Sequence, residues 1–125
     1  MQYADFSGID LSNSYLDRSW LDFADFRSAN LTRAAFRGSV LANANFSQAI
    51  IDRALFWDTT SSGFTKEQLY STASYQAKDL HGIGLSSNDL SGWDFSDQKL
   101  DAASFRSSTL TNADQTGATI VGRIF

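Results

Sequence analysis

Large apolar residues recur at every fifth position through the first half of the chain: Phe6, Leu11, Leu16, Leu21, Phe26, Leu31, Phe36, Leu41, Phe46, Ile51 and Phe56. Two places before each stands Ala4, Ile9, Ser14, Ser19, Ala24, Ala29, Ala34, Ser39, Ala44, Ala49 or Ala54, small in every case but Ile9. Helices repeat near 3.6 residues and strands every two, so a sustained period of five is neither. Residues two apart in extended chain share a face, so each pentapeptide turns its small and its large residue inward and the one between them outward. The remaining two positions must turn a corner. A short side and a corner, repeated, close into a coil.

A second period counts the sides. Residues twenty apart match in type: Phe6, Phe26 and Phe46; Leu11, Leu31 and Ile51; Leu16, Phe36 and Phe56; Leu21 and Leu41. Four sides per coil follow, with successive coils pairing like parallel strands about 4.8 Å apart. The small residues are demanded because so narrow an interior has no room for more. "ADF" at 4–6 and 24–26, "ANL" at 29–31 and "ANF" at 44–46 give the chain a pattern that resembles the pentapeptide repeat family. That resemblance implies an all-β solenoid, a right-handed square β-helix of about five coils.

The register fails at Ser61 and resumes with Leu85, Leu90, Phe95, Leu100, Phe105 and Leu110, then Ile120 and Phe125. Since 56 to 85 is not a multiple of five, an insertion separates two runs. The reading is one continuous domain, with a first run at 1–60, a helical insertion at 61–77 and a second run at 78–125. Within the insertion, Thr65 and Gln68 form a capping box, and Phe64 with Leu69 a hydrophobic staple. One helix is predicted over 66–76, with Leu69 and Ala73 on its buried side. Lys78, Asn88, Trp93 and Gln98 stand where small inward residues are expected, which predicts a distorted coil where the helix docks. Gln115 occupies a large-residue position in the column of Phe95; Gln115→Phe is expected to stabilise the fold.

The outward residues sort by side: Asp5, Asp25, Asn45; Asp10, Asn30, Ile50; Tyr15, Ala35, Leu55; Trp20, Val40. Two adjacent sides are polar and two apolar. Asp and Asn here can hydrogen-bond nearby backbone and fix the corner, which explains their recurrence without function. Phe23 and Trp57 extend the apolar sides into a strip made of Tyr15, Trp20, Phe23, Ala35, Val40, Leu55 and Trp57. Exposed apolar patches mark contacts, so the strip is read either as the site of a protein partner or as the seat of the folded-back insertion.

Composition narrows the chemistry. The 125 residues include no Cys or Pro and one His, with a net charge of −4. No disulfide framework or cysteine-ligated metal is available, and direct nucleic-acid binding would need clustered cations that are absent. Seven acids against five bases in each half read as a solvated surface, not a metal site. His81 in "DLHGIGL" has no Cys partner and reads as a turn or surface residue; "GIG" lacks the third glycine of a dinucleotide fingerprint. No serine carries a nucleophile-elbow spacing, so no catalytic residue, cofactor or metal is assigned and an enzyme is not expected. With neither a leader-like N-terminus nor an apolar run long enough for a membrane span, the chain reads as soluble and, by default, cytoplasmic.

These observations point to a non-catalytic binding or scaffold module for a protein partner. Two alternatives stand beside it. The family resemblance, with the acidic balance, implies a DNA-mimic inhibitor or protector of DNA gyrase or topoisomerase, although interleaved arginines weaken a purely acidic face. The lack of recognisable end caps, which solenoids normally have, suggests a structural segment of a larger extracellular or envelope protein, or an end-to-end homodimer.

Overall fold

The computed structural model describes residues 3–119 and 121. Parallel bridges join the outward residues in four columns, Asp5 to Asp25 to Asn45, Asp10 to Asn30 to Ile50, Tyr15 to Ala35 to Leu55, and Trp20 to Val40. The columns are named below by their first residues. Each bridge spans twenty residues, as the repeat requires. Inward, Phe26, Phe36, Phe46, Phe56, Leu21, Leu31, Leu41 and Ile51 are fully buried. Phe6, Phe26 and Phe46 stack in one column at 5.2 and 5.0 Å between ring centroids, and Phe36 stacks on Phe56 at 5.2 Å in another. The two aromatic stacks meet edge to face across the interior, as Phe26 and Phe36 do at 5.5 Å.

Corners follow from the same five-residue unit. The carbonyl of a large inward residue accepts from the backbone N–H three residues on, as Leu21 does from Ala24 and Leu31 from Ala34. The second corner residue has positive φ, as at Asn13, Arg18, Phe23 and Arg33, which is the geometry of a type II turn. On the polar sides the outward Asp or Asn locks the turn: Oδ1 accepts from the N–H two residues on at Asp5, Asp10, Asp25, Asn30 and Asn45. The local role expected of these residues is therefore the one they fill.

Beyond Phe56 one coil is longer. Leu55 pairs with Gly84, 29 residues on, where every other bridge spans twenty, so this coil carries nine extra residues. They are taken up by a 3₁₀ turn at Thr60–Ser62 and two helices, α1 at Lys66–Tyr70 and α2 at Ala73–Gln76. Gly63, between turn and helix, is at φ +101 and its missing Cβ would lie 2.6 Å from Ala42 Cα, so only glycine lets the chain turn this close over the coil below. The capping box of Thr65 and Gln68 is formed. The single predicted helix is instead two, because Thr72 leaves the helical conformation and its hydroxyl caps a new start by accepting from Tyr75 N–H. Leu69 is buried as expected, whereas Ala73 is only half-buried; Thr72 and Ser74 take the inner positions.

The insertion is spliced into the ladder. It lies above Asn45 on the Asp5 side and supplies side chains where a coil would supply backbone. Gln68 Nε2 donates to the carbonyls of Leu41 and Ala44 below, and Ser74 Oγ accepts from Ile51 N–H. Above, Asp94 N–H donates to the Tyr70 hydroxyl and the Tyr75 hydroxyl donates to Asp94 O. Phe64 continues the aromatic stack, 4.6 Å from Phe56. Three of the four oversized residues of the second run serve this splice. Asn88 accepts from the N–H groups of Thr59 and Thr60 and donates to Phe56 O and Leu85 O. Trp93 packs 6.0 Å from Phe64, and Gln98 Nε2 donates to Tyr75 O. Lys78 differs from the expectation: it is exposed at φ +60 just past α2, because the extra residues put a helix end where a wall residue was expected. The coil then runs on to Thr119 with Leu80, Leu85, Leu90, Phe95, Leu100 and Phe105 buried inside. Gln115 is half-buried; Ile120 and Phe125 lie outside the described residues.

Candidate interaction surface

On the first coil, Tyr15 is 85% exposed and Trp20 68%, on adjacent sides of the square. Phe23, 45% exposed at the next corner, stacks on Tyr3 at 5.0 Å, so the aromatic surface reaches one residue further than the sequence strip. Val40 and Leu55 are half-buried. Ala35 adds no exposed surface: its methyl, paired between the larger Tyr15 and Leu55, is only 3% exposed. The insertion docks on the Asp5 side, and Tyr15 and Trp20 stay open.

The corner between the two apolar sides stacks residues twenty apart. Asp17 lies under Arg37, whose guanidinium donates to Asp17 Oδ2 through Nη2 at 2.7 Å and Nε at 3.2 Å. Those bonds hold the Asp17 carboxyl below the usual carboxylate range. Arg37 in turn sits 5.6 Å from the centre of the Trp57 ring, a cation–π contact. Trp57 lies flat across the next coil, because a Cβ on Gly84 would overlap Trp57 Nε1 and come within 2.7 Å of Leu55 Cδ2. Trp57 thus separates two hollows, one lined by Asp17, Arg18, Arg37 and Asp58, the other by Ser86, Ser87, Ser104, Arg106 and Ser107. The strip reading missed this corner, although the twenty-residue spacing of Asp17, Arg37 and Trp57 signals it.

Several carboxylates elsewhere are locally satisfied. Arg27 grips Asp25 at 2.6 Å and holds its carboxyl low. Hydroxyls two residues on do the same for Asp5, Asp10, Asp89 and Asp94, through Ser7, Ser12, Ser91 and Ser96. His81 is more than a turn residue: Nδ1 lies 2.6 Å from Asp79 Oδ1, and Nε2 meets Asp52 on the coil before the insertion. Burial pushes the Asp79 carboxyl up, but the bonds from His81 outweigh it and hold it low. No group of three or more His, Cys, Asp or Glu side chains among the described residues is arranged to hold a metal. Nor is any helix there long and apolar enough to cross a membrane.

Comparison with known proteins gives the family. A model described as pentapeptide repeats matches in eight copies over residues 1–33 and 19–58. No curated protein sequence matches the chain. Among solved structures, 98% of the chain aligns with HetL, a pentapeptide repeat protein involved in heterocyst differentiation regulation from the cyanobacterium Nostoc sp. strain PCC 7120, at 27% identity and a TM-score of 0.40. It aligns equally far with QnrB1, a plasmid-mediated fluoroquinolone resistance protein, at 21% identity and 0.44, and with a pentapeptide repeat protein of the Arabidopsis thaliana thylakoid lumen at 18% and 0.27. The chain spans 43% of the length of HetL, 78% of that QnrB1 chain and 61% of the thylakoid protein. The family matches stop at residue 58, but the bridges carry the same twenty-residue register on to Thr119. Residues 1–58 therefore carry the repeats of the pentapeptide repeat family, and the chain has the fold of a right-handed quadrilateral β-helix.

Proposed function

We propose that this chain is a non-catalytic binding module that presents a rigid apolar strip to a protein partner. The observation that carries the reading is the exposure of Tyr15 and Trp20 side by side on a coil whose backbone is fixed by the ladder above it. Large aromatic side chains left in water are contact residues in waiting. A preformed coil also loses little conformational freedom on binding, which favours affinity. Phe23, Val40, Leu55 and Trp57 flank the strip; Ala35 forms its floor.

Charge imitation of DNA is less well supported. Asp17 and Asp25 are neutralised by Arg37 and Arg27, and Asp5, Asp10, Asp89 and Asp94 bond the hydroxyl of their own corner. A carboxylate face of that kind is a set of turn locks interleaved with cations.

The test is affinity capture from the organism's own lysate with wild-type protein against a Trp20→Glu, Val40→Glu double variant. Both positions are outward, so the variant is expected to fold with an unchanged circular dichroism spectrum. At least one protein captured by the wild type should be lost from the variant; identical capture by a folded variant would remove the strip as the site.

A further inference from the structure

The hollow above Trp57 differs in character from the rest of the surface. It has a volume of about 400 Å³ and is lined by Trp57, Ser86, Ser87, Ser104, Arg106 and Ser107. In a chain of net charge −4, no carboxylate lines it. Ser86 and Ser104 share a hydrogen bond of 2.7 Å. Arg37, on the other side of the indole, is committed to Asp17, whereas Arg106 has no ionic partner among the described residues. An unpaired guanidinium beside four hydroxyls and an indole wall offers donors that match a carboxylate, which takes a guanidinium in a two-point fork.

The hollow also continues the strip. From Tyr15 and Trp20 on the first coil the apolar surface climbs through Val40 and Leu55 to Trp57, and Arg106 stands two coils higher. Four coil spacings of about 4.8 Å make a run of roughly 19 Å, the length of about six residues of extended chain. Resting on the strip as a protein contact, we propose that the partner supplies an extended segment of about six residues. Its apolar side chains lie over Trp20 and Val40, and an Asp or Glu at its end is seated between Trp57 and Arg106. The seat selects the charge and the strip supplies the apolar area.

A displayed library of random hexapeptides, selected against the full chain, tests both parts. Wild-type protein should retain peptides with apolar residues at one end and Asp or Glu at the other. A selected peptide should lose at least tenfold in affinity to Arg106→Glu and regain most of it when its own acid is changed to Lys. Equal affinity for wild type and Arg106→Glu, or no preference for an acid, would overturn the seat. Peptides that bind without acidic preference but are lost on Trp20→Glu would leave the strip standing and remove only the seat. If no peptide is retained at all, both fall.

Discussion

The second residue of a corner holds left-handed backbone, which costs an L-residue about 1–2 kcal/mol relative to glycine. Ala102 is one such residue, at φ +61 and exposed. Allowing for glycine's greater freedom in the unfolded chain, Ala102→Gly should raise stability by about 0.5–1 kcal/mol. Calorimetry should then show a midpoint roughly 3 °C higher. The corner carboxyls set the acid limit. Asp17 titrates below its ordinary value of 3.8 in the folded chain, and so do the Asp residues of the serine-locked corners. Their contribution is therefore complete above about pH 4 and drains as pH falls below it, since protonation breaks bonds that the unfolded chain never made. Asp17 is partly solvated, so Asp17→Asn should cost no more than about 1 kcal/mol at pH 7. It should also flatten the fall in urea midpoint between about pH 4 and pH 2.

At the scale of elements, the splice depends on two hydroxyls. Tyr70→Phe strands the Asp94 N–H and Tyr75→Phe its carbonyl, each at about 1–2 kcal/mol; faster amide exchange at Asp94 in Tyr70→Phe, with exchange near Phe36 unchanged, is the expected signature. Burial pushes the Tyr75 hydroxyl up to about 12 from 10.0. Its contribution is intact below about pH 10 and is lost as pH rises toward 12, so the insertion should be the first element to open in alkali. The parts of this element legible in the sequence were those with local signals: the capping box, Leu69 buried, the failure of period five. What was not legible depended on length. Thr72 breaks the helix where the Ala73 N–H donates to the Ala49 carbonyl of the coil below, and Lys78 falls at a helix end because the long coil carries nine extra residues; neither residue is unusual for its neighbours in sequence. In the strip, Tyr15 and Trp20 were readable from alternation alone. Burial of Ala35 and the stacking of Arg37 on Trp57 were not, since both depend on the size of a neighbour twenty residues away.

For the whole molecule, twenty residues are one full turn and five are a quarter turn. Length changes in this chain therefore act as rotations. Removing residues 24–43 takes out one coil and puts Asn45 above Asp5, so the columns realign and a shorter folded protein is expected, with far-ultraviolet dichroism and cooperative melting retained. Removing only 24–28 keeps large residues inside but turns everything above the first coil by 90°. Val40 then follows Tyr15, Asn45 follows Trp20, and the apolar strip is cut in two. A folded five-residue deletion that still captured the same partner would show that binding ignores the alignment of the coils. The nine extra residues of the long coil are a length change that is no whole coil and yet leaves the fold unturned: a 3₁₀ turn and two short helices absorb them on a single side, and the coils above keep the heading of those below.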